Sequence, residues 1–298
     1  AFRALPWEGA IQPAHTFGAA PGEYLVSWQT SNALRVRRIE PPLTAPTLNE
    51  LGAIAVNGFS DPPLAAALGS STPLDTVDRR LMMALYRDGS IWTCHTINVN
   101  SRAGCRWYEL NPIARSVVQW GNVADPVLHF FFPSLMVNSR GDVVMGFTGS
   151  SGSQYPGCYY TGRRASDPPG EMAPPVQYQA GQAAYNLLDT YGRNRWGDYS
   201  YTTLDPVDSV SLWTIQEYVH GTNIWGTYVA RLGFSLLGDL NCDGFLNLSD
   251  INPFVLALTD PAGYTARYPD CDRMNADCNG DGLIDFNDVN PFVALLTR

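Results

Sequence analysis

The sequence predicts a mainly β fold, built of propeller-like four-stranded meanders, with a small α C-terminal module. Three observations predict it. Strand–turn–strand patterns recur over residues 1–235, starting near residues 80, 133 and 198. A twelve-residue acidic pattern occurs twice near the C-terminus, 38 residues apart. An apolar stripe of helical period follows each acidic copy at the same offset.

In chain order, residues 24–39 read as the middle of a first meander, with Ala53–Gly58 as its outer strand. Arg80–Tyr86 and Ile91–Asn98 flank the turn Arg87-Asp88-Gly89-Ser90, and Cys105–Leu110 and Val117–Asn122 continue the unit. Ser134–Asn138 and Val143–Phe147 flank Ser139-Arg140-Gly141-Asp142, followed by Cys158–Arg164 and Val176–Gln182. Tyr199–Leu204 and Val210–Gln216 flank residues 205–209, with Ile224–Leu232 as the next strand. Each is a β-prone run bounded by Gly and Asp turn residues. Repeats of this size suit propeller blades. About four units are legible, and the first lacks its inner strand. Residues 9–15 close a ring if they complete the last unit. Otherwise the chain is incomplete or processed at its N-terminus, or a neighbouring chain fills an open edge.

The acidic pattern carries the most specific chemistry. Loop positions 1, 3, 5, 9 and 12 are Asp239, Asn241, Asp243, Asn247 and Asp250 in the first copy. They are Asp277, Asn279, Asp281, Asp285 and Asp288 in the second. Gly244 and Gly282 occupy position 6, where a sharp turn is needed, and the carbonyls of Phe245 and Leu283 fall at position 7. This is the oxygen-ligand spacing of an EF-hand calcium loop, with Asp for the usual Glu at position 12. Two calcium ions are expected, one per loop. Ile251, Phe254, Val255 and Leu258 then lie on one helix face, and Val289, Phe292, Val293 and Leu296 repeat them. Ser249 or Asp250 is expected to cap the first helix, with Pro253 in its first turn. Leu236-Leu237-Gly238 is too short for a helix ahead of the loop.

A loop and one helix, given twice with a short connector, resembles the type I dockerin module over residues 236–298. The resemblance implies a domain boundary at 235/236 and docking onto a protein partner, a cohesin-like domain. Self-association into an extracellular assembly is the other partner reading.

Composition supports a folded chain: 45% of residues are hydrophobic and 16% charged. Residues 236–298 hold ten Asp, no Glu and three Arg, so they carry −7 of the total −9. Without a cation these carboxylates repel one another. All 19 basic residues are Arg, which excludes lysine Schiff bases, isopeptide crosslinks and a P-loop lysine. A net charge of −9 without basic clusters argues against nucleic acid. No apolar run reaches the length of a membrane span. No signal peptide is visible, so Ala1 is either the mature start or follows a missing one. Six cysteines fit an oxidising, secreted or cell-surface setting. Cys94 with Cys105 can bridge a hairpin, and Cys242 with Cys271 can tie the first acidic loop to the connector. Cys158 and Cys278 are then left over, and 15 connectivities are open to six cysteines.

A second resemblance rests on Phe132-Pro133-Ser134, Tyr159-Tyr160-Thr161-Gly162-Arg163, Arg195-Trp196-Gly197-Asp198-Tyr199-Ser200, Trp213 and Glu217-Tyr218. These stretches look like the sialidase-like β-propellers of bacterial secreted proteins, over roughly residues 80–232. Such enzymes use an arginine triad on the substrate carboxylate, a Tyr nucleophile with a Glu base, and an Asp acid. Arg195, Asp198, Glu217 and Tyr218 have the right types. The triad cannot be placed, and no SxDxGxxW box occurs. Trp196 and Trp213 are expected to pack between units, and Asp198 to hold a turn through backbone N–H groups. Three functions therefore compete: a secreted calcium-binding structural or binding protein that docks or assembles, a sialidase-like extracellular glycan hydrolase anchored by its module, and a calcium-stabilised cap with no partner.

Overall fold

The computed structural model describes residues 10–42, 44–234, 236–269 and 271–297. Ala1 and Gly9, on which the expectations about the chain start and ring closure partly fall, lie outside them. The chain divides into two compact units, Ala1–Leu204 with Leu212–Leu232, and Asp205–Ser211 with Gly233–Arg298. Residues 205–211 are thus more than a hairpin turn: they group with the C-terminal unit.

The first unit is mainly β. Its first sheet has the order β1–β3–β4–β5, from β1 (Gln12–Pro13), β3 (Glu23–Thr30), β4 (Ala33–Glu40) and β5 (Thr47–Ala55). The outer strand therefore ends at Ala55 rather than Gly58. Residues 12–13 do not complete the last sheet. They pair with Leu25 and Val26 of the first, and the Gln12 side chain donates to the Leu81 carbonyl at 3.0 Å. The second sheet joins β2 (His15–Phe17) in parallel to β6 (Leu81–Arg87), followed by β7 (Ser90–Val99), β8 (Arg102–Asn111) and β9 (Ser116–Val123). The third contains β10 (His129–Val137), β11 (Val143–Ser151), β12 (Gln154–Arg163) and β13 (Val176–Gln179). The fourth has three strands, β14 (Tyr201–Leu204), β15 (Leu212–Gly221) and β16 (Ile224–Leu232).

Each sheet packs on the next in chain order, β3 on β6, β6 on β10, and β10 on β14. That arrangement explains the local sequence. Every residue of β10 and β11 is buried, because sheets cover both faces, so residues 130–132, 135–137 and 143–145 read as unbroken apolar runs rather than alternating ones, beside buried polar residues such as Ser134 and Thr148. Between the first two sheets lies a core of Tyr24, Val26, Leu34, Ile54, Leu81 and Tyr108, with Tyr24 stacked on Tyr86 at 4.6 Å. A second core gathers Leu74, Phe131, Phe132, Tyr185, Trp196 and Val219. Trp196 thus packs internally as expected, with its indole N–H donating to Thr148 at 3.4 Å.

Cys94 and Cys105 are free buried thiols, not a bridge. Cys94 stands opposite Trp107 and Cys105 opposite Thr96, so the two are diagonal rather than facing. The Cys242–Cys271 bond is formed.

The second unit is small and helical. A one-turn 3-10 helix at Leu248–Asp250 leads into α1 (Ile251–Thr259), and another at Phe286–Asp288 leads into α3 (Val289–Leu296). Between them α2 (Pro261–Arg267) occupies the stretch read as a plain connector. Its start has local causes: the Asp260 side chain accepts from the Gly263 N–H, and Pro261 opens the first turn. The core is Leu240, Phe254, Ala257, Tyr264, Ala276 and Phe292. Phe254 and Phe292, equivalent in the repeat, stack face to face at 4.1 Å.

Candidate functional site

The two acidic loops share one local geometry. Position 6 is left-handed in both, Gly244 at φ +86° and Gly282 at +85°. Position 4 is left-handed as well, Cys242 at +54° and Gly280 at +76°. In this conformation the loop N–H groups turn inward to the carboxylates. Asp239 accepts from the Gly244 N–H at 2.9 Å, and Asp277 from Gly280, Asp281 and Gly282. Asp250 accepts from Leu240, Asn241 and Asn247, closing each end of its loop; Asp288 accepts from Asn279 and Asp285. Because Asp250 is turned back in this way, neither it nor Ser249 caps α1 by side chain. Asn247 instead caps the 3-10 turn in a capping box with Asp250, and Asp285 with Asp288 repeats it.

Four of these carboxylates, Asp239, Asp250, Asp277 and Asp288, are buried. Among the described residues no ion pair reaches any acidic residue of either loop. The Asp239 Oδ1 atom is buried without a well-aligned hydrogen-bond donor. Burial pushes the Asp239 carboxyl up to about 6; the Gly244 and Cys242 N–H groups oppose this, and the Asp250 and Asp243 charges add to it. An unpaired, buried carboxylate oxygen among other carboxylates is the environment a hard cation relieves. By His, Cys, Asp and Glu side chains alone, no group of three among the described residues is arranged to hold a metal. The oxygen set of each loop also includes Asn241 or Asn279 and a position-7 carbonyl, and all of it is hard oxygen. Calcium fits that set; zinc does not.

Tertiary residues that the loop motif did not reveal brace the first loop. Asn275 donates to the Asp239 carbonyl at 2.9 Å and Tyr264 to the Leu240 carbonyl at 2.8 Å. A Cβ at Gly244 would meet the Val210 methyls at 2.8 and 2.9 Å, whereas one at Gly282 would meet nothing within 4 Å. For α2, the Asp260-Pro261 pair was the available signal.

The four catalytic-type residues of the β region separate into three and one. Arg195, Asp198 and Glu217 line one cleft of about 720 Å³ on the fourth sheet, with Tyr199, Tyr201, Gln216, Trp225 and Thr227. Tyr218 is not among them. It is buried, 3.1 Å from His220 Nδ1, since successive strand residues face opposite ways. The buried Trp196 anchors the segment, so Arg195 and Asp198 flank it and meet. Arg195 Nη2 donates to both Asp198 oxygens at 2.8 Å. Asp198 is therefore an ion-pair partner rather than the turn carboxylate the Gly-Asp pair suggested. Gly197 follows from Glu217: its N–H donates to the carboxylate, and a Cβ there would collide with Oε2. Burial pushes Glu217 up to about 7, against the Gly197 hydrogen bond and reinforced by the Asp198 charge.

No known family matches this chain, and no curated protein does. Solved structures show distant likeness. A protein of unknown function from Dyadobacter fermentans DSM 18053 is 10% identical, with a TM-score of 0.37 over 78% of this chain and 62% of its own. A xylan β-1,4-xylosidase from Bacillus halodurans C-125 is 13% identical, TM-score 0.35, over 82% and 43%. A GH43 β-1,3-galactosidase is 10% identical, TM-score 0.34, over 72% and 40%. The chain thus spans between 40% and 62% of the length of these proteins.

Proposed function

We propose that this chain is a secreted calcium-binding structural protein, in which a dockerin-like C-terminal unit holds two calcium ions and docks a propeller-like β body onto a protein partner. The four buried loop carboxylates, Asp239, Asp250, Asp277 and Asp288, which no arginine reaches among the described residues, carry the reading. Asp239, Asn241, Asp243, the Phe245 carbonyl, Asn247 and Asp250 would hold one ion. Asp277, Asn279, Asp281, the Leu283 carbonyl, Asp285 and Asp288 would hold the other. The bound ions would supply the positive charge these groups lack, at oxygen distances of about 2.3–2.6 Å. The disulfide is compatible with an extracellular setting, and among the described residues no helix is long and apolar enough to cross a membrane.

Docking is supported by apolar residues exposed in equivalent pairs. Phe245 and Leu283 match, as do Leu248 and Phe286, and Val255 and Val293. Leu248 and Phe286 are 75% and 78% exposed. The pairs give the unit two similar faces for a cohesin-type partner or a second copy. Isothermal titration with calcium tests the first half, and fewer than two sites per chain refutes it. Light scattering with and without calcium, beside pull-down with cohesin-type domains, tests the second. A monomer that captures no such domain leaves the calcium-stabilised cap as the better account.

A further inference from the structure

The cleft on the fourth sheet has chemistry that the calcium reading does not use. Glu217 pairs across the sheet with Thr227, and Val219 with Trp225, so Glu217, Thr227 and Trp225 share one face. Trp225 and Tyr199 are exposed by 58% and 57%, and Tyr201 stands beside them. Aromatic rings left open at a concave surface offer flat apolar platforms. Among the polar atoms of the lining residues, the Arg195 Nε donor is buried without a partner, and the Asp198 and Glu217 carboxyls line the same cleft. Leaving a donor unmatched is unfavourable, and a ligand that accepts from the guanidinium and donates to a carboxylate suits this set.

Charge narrows the class. Arg195, the one cation among the described lining residues, is already neutralised by Asp198, and Glu217 adds a second carboxyl. An anion would meet no free positive charge. A hydroxyl does what the site requires, since it accepts from a guanidinium and donates to a carboxylate oxygen. Hydroxyls carried on a ring with apolar faces describe a sugar.

We propose that this cleft binds a neutral glycan chain, with Trp225, Tyr199 and Tyr201 as platforms and Arg195, Asp198 and Glu217 as polar contacts. It concerns the β unit alone, so its failure and that of the calcium reading are distinguishable. The full-length protein in millimolar calcium is titrated calorimetrically with soluble arabinoxylan, galactan and mixed-linkage β-glucan, and with polygalacturonate as an anionic control. At least one neutral polymer is expected to bind. Trp225→Ala is expected to weaken it roughly fivefold to tenfold, the loss of one aromatic platform. Tyr199→Ala, at another exposed position, gives an independent variant should the first misfold, with melting curves reporting the fold. No heat with any of the neutral polymers, binding of polygalacturonate alone, or wild-type affinity in folded Trp225→Ala and Tyr199→Ala overturns the proposal.

Discussion

Burial sets the proton affinity of Glu217, and stability should register it. Its carboxyl is raised from 4.5 to about 7 in the fold. Between those values the unfolded chain has released the proton while the folded chain still holds it. Stability therefore falls as pH rises from 4.5 towards 7, then levels, so far as this group contributes. Glu217→Gln should flatten that difference in urea unfolding curves followed across the window. Equal slopes in variant and wild type would mean the carboxyl is not buried as described. The paired glycines give a second residue-scale test. Gly282→Ala meets open space and should cost only the left-handed conformation, about 1–2 kcal/mol. Gly244→Ala meets Val210 as well and should cost more in the same calorimetric scan. The need for glycine at position 6 was legible from the motif. The asymmetry was not, because Val210 lies 34 residues upstream.

At the scale of elements, α1 and α3 hold together through one stacked pair. Phe254→Ala or Phe292→Ala should each destabilise the C-terminal unit by about 3–5 kcal/mol. The double variant should lose less than the sum, because the rings share one contact, worth about 0.5–1.5 kcal/mol beyond area burial. Denaturant unfolding of the four proteins checks this, and strict additivity would contradict the stacking. Both helices were legible because apolar residues recur at helical spacing, but the stripe is not the buried face throughout: Phe254 and Phe292 are buried, whereas Ile251, Val255 and Val293 are exposed. The meanders were legible for a similar reason, through β-prone runs between Gly and Asp turns. The short strands β1 and β2 were not, since two or three residues carry no periodicity and their pairing depends on where β3 and β6 lie.

For the whole molecule, the two-unit division predicts how it melts. Chelation should lower the transition of the C-terminal unit and leave that of the β unit in place. The reason is that the uncompensated acidic loops lie in the former and the sheet cores in the latter. Scanning calorimetry with and without EDTA reads this directly. A profile unmoved by EDTA would remove calcium from the supports of the fold. Reduction of Cys242–Cys271 should act on the same transition, because the bond closes a loop within that unit, at a cost of about 3–4 kcal/mol.

The sequence by itself determined the β character of the first unit, the doubled acidic loops and the helices that follow them. These depend on neighbours a few residues apart, where turn chemistry and periodicity act. It also carried the residue types of the cleft, Arg195, Asp198 and Glu217, without their arrangement. Only the tertiary structure decided that these three meet, that Tyr218 faces away, and that Cys94 and Cys105 stay apart while Cys242 and Cys271 join. Each of those outcomes turns on which strand faces which and how deeply a group is buried. Both are set by packing between segments distant in the chain, for which a single sequence holds no local signal.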